Sequence, residues 1–476
     1  MDAVSFRSVS FAYPKSEYKA LDSVSFSISK GDFCLVSGAS AAGKSTLLSL
    51  IKKEIAPAGE LGGDIEINGS VGYLRQNTDE SIVCDRVRGE LAFGVENLGK
   101  SSSEIELLIA ETAAYFNLED KLNSATAELS GGEKQLVSLA SVMMMKPDIL
   151  VLDEPCAYLD PVSAERFANM VKKLHSELGI TVIMSEHSVD LLYGYADKIL
   201  LLEKGSLTFE GTPEKTLSFL EKENNPMLAA VPVQFRYKGK ELNYNEMKET
   251  GENPEIALNA KRLYFAYNKN SFVINDLSLD VYRGKINAVI GSNGCGKTTL
   301  LKVLSRVYKP YRGKVNSEKL SMLTQNVKDL FTADRCGDEV TFGEITDYLE
   351  ISDIKERHPY DLSGGQAQRL ALAKVLQRNA DIIILDEPTK GLDAVLKTKL
   401  GKLLKRLCAD GKTVLLVSHD IDFVGEWADY VSFMSEGRIA VTDEKRRFFS
   451  SLSFYTTSLS RLSRGRAVCS EDVCDE

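Results

Sequence analysis

Two lysines stand at the end of glycine-rich stretches of identical spacing, Gly38-Ala39-Ser40-Ala41-Ala42-Gly43-Lys44-Ser45-Thr46 and Gly291-Ser292-Asn293-Gly294-Cys295-Gly296-Lys297-Thr298-Thr299. Glycines let backbone N–H groups close around phosphate oxygens. The lysine offsets charge on the outer phosphates, and the adjacent hydroxyl can ligate Mg2+. Such a loop must hang between a strand and a helix. Each does here: the apolar runs 33–36 and 286–290 read as buried strands, and residues 46–51 and 299–304 carry helical periodicity. One match could arise by chance, but each copy heads its own series of further motifs.

Leu129-Ser130-Gly131-Gly132-Glu133-Lys134-Gln135 is answered by Leu362-Ser363-Gly364-Gly365-Gln366-Ala367-Gln368. An apolar strand ending in acids follows each, at Asp153-Glu154-Pro155 and Asp386-Glu387-Pro388. A second apolar strand then ends in a histidine, His187 or His419. A lone acid pair or histidine is more often a solvated strand end or a structural residue; repetition at matched spacing reverses that. In this order the set resembles the ATP-binding cassette family over nearly the whole chain.

The resemblance implies an α/β fold of two tandem nucleotide-binding domains. Each would hold a RecA-like phosphate-loop core, an antiparallel β subdomain and a helical subdomain bearing the signature. It implies ATP and Mg2+ as ligands: Gly38, Gly43, Lys44, Ser45 and Thr46, with Gly291, Gly296, Lys297, Thr298 and Thr299, around the phosphates. Asp153 and Asp386, together with Ser45, Thr298, Gln76 and Gln325, would serve the metal. Glu154 and Glu387 would orient or deprotonate the attacking water, with His187 and His419 at the γ-phosphate. Tyr13 and Tyr267 match the aromatic on which adenine stacks, although aromatics at strand ends also pack in cores. By the same resemblance the cassettes close head to tail. The signature Ser130, Gly131 and Gly132 would then cap the ATP held by Lys297, and Ser363, Gly364 and Gly365 the ATP held by Lys44.

The halves are unequal. From Gly94 of Ala92-Phe93-Gly94 to Ser130 is 36 positions, whereas from Gly343 of Thr341-Phe342-Gly343 to Ser363 is 20, a loss of 16 residues in the second half. In cassettes this stretch belongs to the helical subdomain that faces a membrane partner, which implies unequal docking surfaces.

At 476 residues the chain has room for two such domains, expected at 1–221 and 256–446. A polar segment broken by Pro226, Pro232 and Pro254 reads as a linker over 222–255, and 447–476 as a tail without fixed structure. No apolar run approaches the ~18 residues needed to span a bilayer, and the N-terminus has no signal-peptide pattern. Eight scattered cysteines fit a reducing compartment better than a disulfide framework. The formal charge of −10 argues against broad nucleic-acid binding. Cys295, inside the second loop, is either a small residue filling a tight turn or a thiolate favoured by Lys297, in which case alkylation would inactivate the second site.

Gln76-Asn77-Thr78-Asp79-Glu80 followed by residues 89–99, with Ala92-Phe93-Gly94 and Glu96-Asn97-Leu98-Gly99, is similar to the ATPases of energy-coupling factor transporters. Phe448-Phe449 and Phe454-Tyr455-Thr456-Thr457-Ser458 are similar to single-chain fusions of that system's two ATPases. This implies a prokaryotic ATPase, peripheral on the cytoplasmic face of the cell membrane, powering import of a vitamin or metal ion. Its partners would be an integral membrane scaffold subunit and a small solute-binding membrane subunit, with no nucleic acid. Asp79 and Glu80 would pair with arginines of the scaffold or form an ordinary exposed turn. The rival reading is a soluble twin cassette acting on ribosomes or nucleic acid, against which the short linker and acidic charge count.

Overall fold

The computed structural model describes the chain except residues 15, 17, 77–80, 158, 187–191, 238–242, 246–253, 269–270, 293, 454 and 475–476. His187, Asp79 and Glu80 therefore lie outside the described residues. The chain divides into two compact units, Met1–Phe235 and Arg236–Glu476.

The first unit begins with β1 (Asp2–Ala12), β2 (Lys19–Ser29), β3 (Phe33–Gly38) and α1 (Lys44–Leu50), then β4 (Glu60–Ile67) and β5 (Val71–Leu74). Helices α2 (Val87–Asn97), α3 (Ser102–Phe116) and α4 (Gly131–Met144) follow. The unit continues through β6 (Ile149–Asp153), α5 (Pro161–Leu178), β7 (Thr181–Ser185), β8 (Lys198–Glu203), β9 (Ser206–Gly211) and α6 (Pro213–Lys222), and α7 (Val233–Arg236) is one turn at the boundary. The central sheet runs β5-β6-β7-β3-β8-β9, parallel except for β9. β6 and β7 are buried at every position, as strands covered on both faces must be, so they read as unbroken apolar runs. A smaller antiparallel sheet, β2-β1-β4, alternates buried and exposed positions along β2 and packs Phe6, Phe11 and Ile28 against α1 and the central sheet.

The second unit repeats this plan. After β10 (Asn243–Tyr244) come β11 (Ile256–Phe265), β12 (Ile274–Tyr282), β13 (Ile286–Ile290), α8 (Lys297–Leu304), β14 (Arg312–Ser317) and β15 (Leu320–Leu323). Then follow α9 (Cys336–Glu339), α10 (Glu344–Tyr348), α11 (Gly364–Leu376), β16 (Ile382–Asp386), α12 (Ala394–Ala409), β17 (Thr413–Val417), α13 (Ile421–Trp427), β18 (Tyr430–Ser435) and β19 (Arg438–Glu444). Its sheets run β15-β16-β17-β13-β18-β19 and β12-β11-β14.

The 16-residue loss falls on α3. In the first unit that helix has a complete capping box: Ser101 accepts from the Glu104 N–H while Glu104 reaches back to the Ser101 N–H. In the second unit Gly343 passes straight into the five-residue α10.

The tail departs from the expectation of disorder. It forms α14 (Lys445–Ser450), α15 (Ser458–Ser463) and a two-residue strand β20 (Val473–Cys474) that pairs antiparallel with β10. Phe448, Phe449 and Val468 are buried in the second unit's core. The hydroxyls that made the segment look polar are satisfied internally, Thr457 donating to the Val468 carbonyl and Thr456 to that of Phe449. Arg446 is paired with the buried Asp472 at 2.7 Å. No helix among the described residues is long and apolar enough to cross a membrane.

Candidate functional site

The two phosphate loops are built alike. Gly43 and Gly296 precede α1 and α8 with φ of 99° and 106°, in the region that L side chains avoid. A Cβ at Gly43 would fall 2.6 Å from the Ala20 carbonyl oxygen. Lys44 Nζ donates to the carbonyls of Gly38 and Ala39 at 2.8 and 3.0 Å, and Lys297 Nζ to those of Gly291 and Ser292 at 2.9 and 3.0 Å. Both ammonium groups are thus buried against their own loop backbone.

β6 and β16 carry the paired acids to these loops. Asp153 Oδ1 accepts from Ser45 Oγ at 3.1 Å and from Ser185 Oγ at 2.8 Å, and Oδ2 accepts from the Tyr73 hydroxyl at 3.2 Å. Asp386 differs: both its oxygens are buried without a hydrogen-bond partner among the described residues. Burial raises its pKa, and the neighbouring Thr298 hydroxyl and Lys297 oppose the rise. A hydroxyl and a carboxylate at each loop are hard oxygen donors, and the unpartnered Asp386 carboxylate is what a cation would satisfy. They fit Mg2+, which takes one or two carboxylates and completes its shell with phosphate oxygens and water.

The glutamates that follow adopt the same uncommon backbone, φ 46° at Glu154 and 50° at Glu387. The turn lets each glutamate N–H reach the neighbouring strand, to the Ser185 carbonyl at 3.1 Å and the Val417 carbonyl at 2.9 Å. Such strain persists where surroundings over-determine it. Glu154 Oε2 accepts from Gln76 Nε2 at 2.8 Å, with Lys44 Nζ 3.9 Å from Oε1. Glu387 Oε2 accepts from the His419 backbone N–H at 3.1 Å, and His419 Nε2 lies 3.3 Å from Oε1. Burial, reinforced by Asp386, raises the Glu387 carboxyl to about 7. A carboxylate poised there is suited to accept a proton near neutrality.

Gln325 follows β15 where Gln76 follows β5. In the second unit, however, an amide reaches the glutamate from elsewhere: Gln368 Nε2 donates to the Glu387 carbonyl at 3.4 Å. Tyr13 shares a hydrogen bond with Thr46 Oγ1 at 3.0 Å, and Tyr267 with Thr299 Oγ1 at 2.9 Å. Tyr13 and Tyr267 remain 42% and 53% exposed beside the loops, each with its ring edge-to-face with a buried phenylalanine, Phe11 or Phe265.

Ser130 and Ser363 are helix N-caps. Each closes a capping box, with Glu133 and Gln366 respectively, which accounts for the serine and the acid or amide three residues on. Within those boxes Ser130 Oγ accepts from the Glu133 N–H and Ser363 Oγ from the Gln366 N–H. Gly132 sits against Ser163, where a Cβ would meet the hydroxyl at 2.6 Å.

The Cys295 thiol is 7% exposed, and burial raises its pKa against the weaker pull of Lys297. Both favour the loop-filling alternative, in the place Ala42 fills in the first unit. Two residues without an expected role do contact the site: Tyr73 and Ser185. Tyr73 had a sequence signal, a polar-tipped aromatic three positions before Gln76. Ser185 lay hidden in an apolar strand.

The sequence profile of the ABC transporter family matches residues 21–157 and 274–390. A Bacillus cereus protein named "Putative ABC transporter ATP-binding protein" is 34% identical over 96% of this chain and 94% of its own length. A Clostridium tetani protein of the same name is 31% identical over 79% of this chain and 96% of its own. Among solved structures, the archaeal ribosome recycling factor aABCE1, in complex with ribosomal stalk protein aP1, covers 93% of this chain and 92% of its own with TM-score 0.66 at 22% identity. The structure titled RNase-L Inhibitor gives TM-score 0.65 at 22% identity, a likeness of fold alone. The doubled phosphate loops, the acid pairs behind them and these matches lead to one conclusion: the chain is a two-cassette ATPase belonging to the ABC transporter family.

Proposed function

We propose that both cassettes hydrolyse ATP and that the chain is the energy-coupling subunit of a membrane importer for a vitamin or metal ion. The observation that carries the first part is the complete set in each unit: a buried lysine on its loop, a hydroxyl beside an aspartate, and a glutamate held in a left-handed turn. Phosphoryl transfer asks the protein mainly to position reactants and stabilise negative charge. Lys44 and Lys297 exchange their loop carbonyls for phosphate oxygens. Ser45 with Asp153, and Thr298 with Asp386, would hold Mg2+, aided by Gln76 and Gln325, and the ion would supply positive charge against the phosphates. Glu154 and Glu387 accept the proton of the attacking water, with His187 and His419 at the γ-phosphate. Tyr13 and Tyr267 take the adenine.

The importer reading is supported by the names of the relatives and by the first unit's helical layer. Phe93 and Leu98 at α2 and Leu107 on α3 are 42%, 62% and 70% exposed, apolar surface that a partner would cover. The second unit lacks α3, so the two layers suit unequal segments of a membrane scaffold. The test is affinity purification of the tagged chain from detergent-solubilised native membranes. Recovery of a polytopic scaffold and a small solute-binding membrane protein supports the reading. Recovery of ribosomal proteins, with the chain absent from membranes, replaces it with the soluble alternative, a twin cassette acting on ribosomes.

A further inference from the structure

The two metal positions differ in a way the motifs do not record. The strand register makes the comparison direct. Asp153 pairs with Ser185 across β6 and β7, and Asp386 pairs with Val417 across β16 and β17. Tyr73, third residue of β5 and three before Gln76, is matched by Met322, third residue of β15 and three before Gln325. The first unit thus places two hydroxyls on its aspartate, at 2.8 and 3.2 Å, where the second places a buried isopropyl group and a buried thioether.

From this we infer that Tyr73 and Ser185 are positioning residues for the metal of the first site, and that the first site takes up its divalent cation at lower concentration than the second.

An ionised carboxylate has about four lone-pair positions on its two oxygens. Ser185 occupies one on Oδ1 and Tyr73 one on Oδ2. Ser45 takes the second position on Oδ1, so one stays free on Oδ2, and a position on Oδ1 opens when Ser45 turns its hydroxyl from Asp153 to the cation. Asp153 is therefore held in one rotamer before metal arrives, without losing the capacity to bind it. Asp386 lacks both hydroxyls, so more of its ordering falls to the cation, an entropic loss taken out of the binding free energy. Hydrogen-bond donors behind metal ligands typically change metal affinity 10- to 100-fold when removed. The same hydroxyls explain why Asp153 can be buried without the unpartnered oxygens of Asp386.

The inference rests on the proposed role of Asp153 and Asp386 as metal ligands, and the experiment separates the two. The full chain is titrated with Mn2+ in the presence of ADP, free Mn2+ being followed by electron paramagnetic resonance. Lys297→Ala silences the second loop and Lys44→Ala the first. With the second loop silenced, Tyr73→Phe plus Ser185→Ala raises the Mn2+ half-saturation of the first site about 10- to 100-fold, each single change giving part of it. Affinity for ADP measured in chelator stays the same. With the first loop silenced, Val417→Ser lowers the half-saturation of the second site. An unchanged or lower half-saturation in the double variant overturns the inference, as does an equal loss of ADP affinity in chelator, which would mean the loop itself was damaged. If Asp153→Ala binds Mn2+ with ADP normally, the ligand assignment fails, and the positioning role with it.

Discussion

Glu387 offers a measurement in which one carboxyl group of the second unit is read by one fluorophore. Its carboxyl is buried and raised from 4.5 to about 7, with burial the leading cause. A carboxyl whose folded pKa lies above its unfolded value contributes fully to stability below the unfolded pKa. That contribution is lost as pH rises through the window from about 4.5 to about 7. A rise of that size corresponds to roughly 3 kcal/mol at pH 8. Glu387→Gln removes the ionisation and leaves a neutral side chain of equal size. The stability difference between variant and parent should therefore shift in favour of the variant by roughly 3 kcal/mol between pH 4.5 and pH 8. Trp427, the chain's single tryptophan, lies on α13 against the second unit's core, so its fluorescence during urea unfolding reports that unit. A difference that stays flat across this range, or that moves toward the parent, would refute a buried glutamate titrating near neutrality. The functional counterpart is that the second site gains activity from pH 6 to pH 8 as Glu387 ionises.

Three further outcomes follow from packing and backbone geometry. Phe449 is fully buried in the second unit's core, so Phe449→Ala should destabilise that unit by about 3–5 kcal/mol, read by the same Trp427 signal; a disordered tail would give no change. Gly43→Ala places a Cβ 2.6 Å from a backbone oxygen at φ 99°, so it should abolish nucleotide binding at the first loop in equilibrium dialysis and leave the second loop intact. Cys295 should resist iodoacetamide in the folded chain, by mass spectrometry, and Cys295→Ser should retain ATPase activity, because the thiol is buried and kept protonated.

Much of the site was legible because its parts are local. Gly43, Lys44 and Ser45 act within one turn of chain, and Asp153 and Glu154 are neighbours at a strand end, so spacing alone brings each group together. The 16-residue loss was legible as a register difference, and α3 shows what it removed. The tail was not legible. Its serines and threonines read as solvated polar groups, and only the fold supplies the Phe449 and Val468 carbonyls that satisfy them. Tyr73 and Ser185 were missed for a related reason. They reach Asp153 from β5 and β7, strands 80 and 32 positions away in sequence, and only sheet order makes them neighbours. The chemistry of Cys295 also turned on burial, which a position beside a lysine does not reveal.

The central claim is that one chain carries two competent ATP sites, and counting nucleotides tests it most directly. In the Glu154→Gln/Glu387→Gln chain, which should bind ATP without turning it over, equilibrium binding with Mg2+ is predicted to reach two ATP per chain. Adding Lys44→Ala or Lys297→Ala should lower it to one. Saturation at a single ATP in the double glutamine variant, or a stoichiometry indifferent to either lysine, would contradict the account.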